Sequence, residues 1–250
     1  MLAVVTGAAS GIGRATAELL VERGAAVVGV DLAPAPRELG PVAAGWVKAD
    51  VAAEATWEEV RALAHDHDPA GVDALIACAA DLVVAPFLET TIDDWRRLLD
   101  VNVLGFVQAL HALAPEMVER GEGAIVATCS VNSFLVEDLL SAYSSSKAAL
   151  LHVVRSAALE LASSGVRINA VCPGIVDTPL LRRHFESLPD HVAARRAAEA
   201  RTPAGRLLAP REVAEVLCFL ASDRASGMSG AAVVVDAGLT TTYDFTAASG

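Results

Sequence analysis

The chain has 250 residues, enough for one α/β domain with a sizeable core. Hydrophobic residues make up 54%, which excludes a disordered protein, and aromatics only 4%, so the core is built from Ala, Val and Leu, the usual filling of a parallel sheet covered on both faces. The formal net charge of −12 argues against nucleic acid as a partner, because a phosphate-backbone binder needs a basic surface.

The first apolar run, Leu2–Thr6, reads as a strand, and a glycine-rich turn follows it at once. That turn is Thr6-Gly7-Ala8-Ala9-Ser10-Gly11-Ile12-Gly13, and a helical pattern, Ile12–Arg23, begins inside it. Strand, Gly-rich turn and helix form a cradle for a pyrophosphate: glycines let backbone approach the ligand, and the helix start offers free N–H groups. The next strand, Ala25–Val30, ends at Asp31, where a carboxylate can accept hydrogen bonds from an adenosine ribose and would repel a 2′-phosphate. No Arg or Lys follows Asp31 until Arg37, so NAD(H) is expected over NADP(H). Ala33–Pro41 is a short Pro-rich loop.

Further strands are expected at Gly45–Ala49, Ala74–Cys78, Gly123–Cys129, Arg167–Cys172 and Ala231–Val235, and helices at Thr56–His65, Ile92–Arg120, Ala142–Ala162 and Pro210–Ala221. Alternation repeated this often predicts a single α/β domain over 1–250, a Rossmann-like doubly wound parallel sheet with helices on both faces. Leu180–Arg206 breaks the alternation and is expected to form a substrate lid at the carboxyl edge of the sheet. The four cysteines, 78, 129, 172 and 218, contain no CxxC pair, so no metal site is expected and reduced core thiols are. No apolar run reaches the roughly 18 residues of a membrane span, and Met1–Val5 carries no basic signal region; the expected location is cytoplasmic.

Tyr143-Ser144-Ser145-Ser146-Lys147 opens a helical pattern, and the i, i+4 spacing puts phenol and ammonium on one face. Tyr has an ordinary pKa near 10 and needs a neighbouring cation to act as a base near neutrality. With only two Tyr and two Lys in the chain, this spacing would arise in roughly two shuffles per hundred. Ser130 follows the fifth strand directly and can bond a substrate oxygen. Asn102, a poor interior helix former, sits inside Ile92–Arg120, where a local kink beside Lys147 would explain it.

These motifs together resemble the short-chain dehydrogenase/reductase family over nearly the whole chain. TGxxxGIG resembles the family's cofactor turn, with Gly7, Ser10, Gly11, Ile12 and Gly13 as contacts. Asp31 resembles its NAD-selecting acid, and Asp50-Val51 the pair at the adenine. Asn102, Ser130, Tyr143 and Lys147 match its catalytic tetrad. Pro173-Gly174-Ile175-Val176-Asp177-Thr178 resembles PGxVxT, in which Pro173, Val176 and Thr178 line the nicotinamide side. Ala77-Cys78-Ala79-Ala80 departs from the family's NNAG, and Ala79 is expected beside the adenosine ribose by backbone and packing. The chain also begins almost at its first strand, so the family's usual short leader is expected to be missing.

The resemblance implies interconversion of a secondary alcohol and a ketone by hydride transfer. Tyr143 would act as general acid and base, Ser130 would orient the oxygen, and Lys147 would bond the ribose and lower the Tyr143 pKa. Asn102 would support a water leading from Lys147 to solvent. The resemblance also implies a homotetramer, paired through the helices that start near Asn102 and Tyr143; Leu150–Leu161 is apolar enough for that or for core burial. Residues expected at the substrate are Asp81, Val83, Asn132, Phe134, Glu137, Leu139, Leu181, His184 and Phe185, a largely apolar set that fits a small, alicyclic alcohol or ketone. Alternatives are an NADP enzyme, an epimerase, dehydratase or imine reductase on the same scaffold, and an NAD-binding sensor or regulator without turnover.

Overall fold

A computed structural model describes residues 1–37, 43–186 and 188–241. Seven parallel strands form one sheet in the order β3-β2-β1-β4-β5-β6-β7. They are β1 (Leu2–Thr6), β2 (Ala26–Asp31), β3 (Ala43–Lys48), β4 (Ala74–Ala77), β5 (Gly123–Thr128), β6 (Val166–Pro173) and β7 (Ala232–Val235). The helices are α1 (Gly11–Glu22), α2 (Glu54–His67), α3 (Ile92–Leu99), α4 (Gly105–Arg120), α5 (Ser141–Glu160), α6 (Pro179–Glu186), α7 (His191–Arg201) and α8 (Pro210–Ala221). The expected doubly wound sheet is therefore present. Of the Pro-rich loop Ala33–Pro41, positions 38–41 lie outside the described residues, as does position 187 of the expected lid.

The alternating strand period builds two cores. On β1, Leu2 and Val4 join Val28, Leu75, Ile125 and Ile168 on the face covered by α2, α4 and α5. Ala3 and Val5 point the other way, with Val27, Ile76 and Val126, under α1 and α8. All five β1 side chains are buried, and each large one contributes roughly 1.5–3 kcal/mol by leaving water. On α5, Leu150, Leu151, Val154 and Ala158 belong to this core, whereas Leu159 is 78% exposed. Most of the apolar content of Leu150–Leu161 is therefore explained by core burial.

The chain reverses its direction of winding between β1 and β4, which flank each other in the sheet. Crossovers leave such a pair on opposite faces, and a crevice opens at their carboxyl ends. Ile92–Arg120 is one run of helix, but Asp100–Leu104 is a π-helical turn inside it, at Asn102. This is the expected local distortion, with an identifiable geometry. By length and mean hydropathy alone, this run could cross a bilayer; here half of its most apolar window is buried inside the protein. Leu180–Arg206 resolves into α6, α7 and the turn after them, with a small core of its own formed by Phe185, Ala198 and Leu207.

Candidate active site

The carboxyl ends of β1, β2, β4, β5 and β6 open into one cleft of about 1180 Å³. At one end the Gly-rich turn lies between β1 and α1. Gly7 has φ +67°, a backbone state that L side chains rarely adopt. A Cβ on Gly13 would stand 2.2 Å from the Gly7 carbonyl oxygen, so this crossing admits no side chain. Asp31 closes the turn: its Oδ2 accepts from Ala9 N at 3.0 Å and its Oδ1 from Ala33 N at 2.9 Å. Asp31 thus has a structural task as well as its place on the cleft wall.

Gly7, Ser10, Gly11, Ile12, Gly13, Asp31, Asp50, Val51, Ala79, Pro173, Val176 and Thr178 all line this cleft. The departure from NNAG is absorbed by backbone. Cys78 N and Ala79 N both donate to Thr6 Oγ1, at 3.1 and 3.0 Å. Ala80 is not among the described residues with positive φ, so its Cβ carries no left-handed strain.

Ser130, Tyr143 and Lys147 line the opposite half of the cleft. Ser130 caps a short 3-10 turn over Val131–Ser133, and its hydroxyl accepts from Asn132 N at 3.1 Å while bonding the Tyr143 hydroxyl. Ser133 Oγ donates to the Lys147 carbonyl at 2.9 Å, tying this turn to α5. Lys147 is 2% exposed, and its Nζ donates to the Thr128 carbonyl at 2.9 Å. Burial holds the Lys147 pKa below its ordinary value.

Sequence reasoning expects Lys147 to lower the Tyr143 pKa. In the protein alone the outcome is the reverse: burial pushes the phenol up to about 12, Cys129 and Glu137 add to the rise, and the Ser130 bond opposes it. The ammonium lies 5.7 Å from the ring centroid and does not outweigh burial.

Asn102 is the one tetrad residue that does not reach the main cleft wall. It is 2% exposed and works from behind. Its Oδ1 accepts from Asp81 N at 2.8 Å, and its Nδ2 donates to the Asp81 carbonyl and Ser146 Oγ, both at 3.0 Å. Ser146 Oγ in turn donates to the Tyr143 carbonyl at 2.7 Å. The side chain therefore fixes the loop after β4 and the first turn of α5 relative to each other.

Of the expected substrate contacts, Asp81, Asn132, Glu137 and Leu181 line the cleft, but Val83, Phe134, Leu139, His184 and Phe185 do not. Phe185 turns inward to the small core it forms with Ala198 and Leu207, the His184 ring lies tilted beside it at 6.0 Å between centroids, and Phe134 and Leu139 face solvent. The walls are instead Leu82, Leu135, Val136, Leu140 and Leu180. Sequence reasoning also missed three cleft guanidiniums, Arg97, Arg183 and Arg201. Arg97 Nε pairs with Asp81 at 2.9 Å, and Arg201 Nη1 with Glu137 at 2.5 Å, so α7 is strapped to the loop before α5.

A family model described as enoyl-(acyl carrier protein) reductase matches residues 7–240. A solved short chain dehydrogenase/reductase family protein superposes with a TM-score of 0.84 at 32% identity, covering 96% of this chain and 97% of its own. The chain belongs to the short-chain dehydrogenase/reductase family, and it is an oxidoreductase of that family. It is 43% identical to the cis-4-hydroxycyclohexanecarboxylate dehydrogenase of Sinomonas cyclohexanicum over 96% of each chain. It is also 34% identical to the cyclohexanol dehydrogenase of Acinetobacter sp. strain SE19, over 96% of this chain and 94% of the relative.

Proposed function

We propose that this protein is an NAD(H)-dependent dehydrogenase that interconverts a cyclic secondary alcohol and its ketone, with Tyr143 as the proton carrier. The observation that carries this reading is the convergence of Ser130, Tyr143 and Lys147 on a leucine- and valine-lined cleft whose other end is a glycine cradle closed by Asp31. Both relatives described above act, by name, on a hydroxylated six-membered ring.

The cradle fits a dinucleotide. The backbone of Ser10–Gly13 at the start of α1 would receive the diphosphate, and Asp31 the adenosine ribose, each Asp31 oxygen keeping a lone pair beyond the backbone bond it already accepts. Asp50, Val51 and Ala79 would flank the adenosine, and Pro173, Val176, Thr178 and Lys147 the nicotinamide half. When bound, the nicotinamide ring supplies the hydride acceptor or donor.

In oxidation, Tyr143 Oη takes the proton from the substrate hydroxyl; in reduction it returns the proton. Ser130 Oγ holds the reacting oxygen beside Oη, since the two hydroxyls already meet. Lys147 places a fixed positive charge next to the phenol, favouring phenolate as the proton leaves. Asn102 is a positioning residue, acting through Asp81 and Ser146. Arg201–Glu137 holds α6 and α7 as a lid over the apolar walls and limits water at the reacting carbon.

The test is absorbance at 340 nm with cyclic secondary alcohols and, separately, NAD+ and NADP+. NADH formation with NAD+ at ten or more times the NADP+ rate is expected. Turnover that favours NADP+ would remove the NAD assignment, and silence on every cyclic alcohol would remove the substrate class.

A further inference from the structure

We propose that Arg183 is a specificity-determining residue that anchors a carboxylate, so that the preferred substrate is a hydroxylated alicyclic acid rather than an unsubstituted ring. This rests on the cyclic-alcohol reading above.

Charge balance in the cleft singles out one side chain. Eight charged side chains line the cleft among the described residues. Asp31 and Asp50 belong to the cofactor end, and Lys147 is committed to the Thr128 carbonyl beside Tyr143. Four of the remaining five are engaged in ion pairs: Arg201 with Glu137, and Arg97 with Asp81 and also with Asp94 outside the cleft lining. Arg183 is left over. No hydrogen bond or ion pair among the described residues uses it, although its neighbour Arg182 pairs with Asp177, which also holds Arg195. The cleft thus carries one guanidinium with no ion-pair partner among the described residues, in a chain whose net charge is −12.

The surroundings say what that cation can take. Arg183 stands on α6, on the same run as the wall residues Leu180 and Leu181. Leu82, Leu135, Val136 and Leu140 supply hydrocarbon surface in the same cleft. An apolar slot with a hydroxyl-handling pair and a free guanidinium matches a saturated ring bearing a hydroxyl and a carboxylate. A guanidinium binds carboxylate through two parallel N–H donors, which also fixes the orientation of the ring. Asp81 and Glu137 are each held by an arginine, which offsets part of their repulsion of the anion.

The same group could instead face the diphosphate of the cofactor, and the experiment separates the two. Wild type, Arg183→Gln and Arg183→Lys are assayed with 4-hydroxycyclohexanecarboxylate, its methyl ester and cyclohexanol, and NADH binding is followed by its fluorescence. Wild type is expected to prefer the free acid to the ester at least tenfold in kcat/KM. Arg183→Gln should raise KM for the acid about tenfold or more with little change in kcat. It should leave ester and cyclohexanol turnover within about twofold, and NADH affinity unchanged. Arg183→Lys should restore part of the loss. Equal handling of acid and ester by the wild type overturns the inference while leaving the cyclic-alcohol reading intact. So does a Gln variant that weakens NADH binding or slows all three substrates alike. If none of the three is oxidised by the wild type, both fall together.

Discussion

At the cofactor end of the cleft, eight consecutive residues, Thr6–Gly13, and one carboxylate, Asp31, make the whole cradle. At the substrate end, Leu82, Arg97, Glu137 and Arg201 converge from four separate segments. The first end is built from backbone and forced by sterics: a Cβ on Gly13 has no place to go. The second is built from side chains that meet across 64 positions in the case of Glu137 and Arg201. A backbone-built site tolerates few changes and reads the same ligand in many proteins. A side-chain-built site can be re-specified by single substitutions, and that is where this chain's own chemistry resides.

Substitutions at the two ends of the cleft separate backbone-built from side-chain-built function. Tyr143→Phe should lower kcat by about 10³-fold while leaving the NADH dissociation constant within about twofold, because it removes only the proton carrier. Steady-state rates and calorimetry check this together. Gly13→Ala should abolish dinucleotide binding and destabilise the fold by about 1–3 kcal/mol or more through overpacking, seen as a lowered Tm. Asp31→Ala should reduce the preference for NAD+ over NADP+ by about tenfold and weaken NAD+ itself, since the bond from Ala9 N is lost as well; an unchanged ratio would remove Asp31 from selectivity. Glu137→Gln should have the smallest effect, a rise of about two- to fivefold in substrate KM, because the Arg201 pair it breaks is partly exposed.

The pH dependence follows from the direction of the Tyr143 shift. Its phenol is raised from an ordinary value near 10 to about 12 by burial, so base is scarce in the free enzyme near neutrality. Oxidative kcat/KM should therefore climb with pH between 7 and 10. Reductive kcat/KM needs the protonated phenol, already in place, and should stay flat over that range. A reductive profile that falls steeply below pH 9 would contradict the shift.

The same contrast explains what could be read in the sequence. The sheet, the Gly-rich turn, Asp31 and the Ser130, Tyr143 and Lys147 set are local patterns, and period-2 strands or i, i+4 spacing expose them directly. The π-helical turn at Asp100–Leu104 was legible only as an Asn in an unfavourable place. Its geometry depends on Asp81 and Ser146, which no spacing in Ile92–Arg120 reveals. The expected aromatic pocket residues failed for a similar reason. Phe185 lies on α6, but Ala198 and Leu207 give it a core of its own, and periodicity does not say which of two apolar partners a side chain will choose. The upward shift of Tyr143 was hidden too, since a motif shows the nearby cation but not the degree of burial.

Isotope transfer tests hydride transfer and the role of Tyr143 together. A cyclic secondary alcohol carrying deuterium at its carbinol carbon is incubated with NAD+ and the wild-type or Tyr143→Phe protein, and the reduced cofactor is analysed by mass. Deuterium is expected at C4 of the nicotinamide with the wild type, and transfer should fall by about 10³-fold in the Phe variant. Reduced cofactor without deuterium, or a Phe variant that transfers at more than a tenth of the wild-type rate, would contradict hydride transfer coupled to Tyr143.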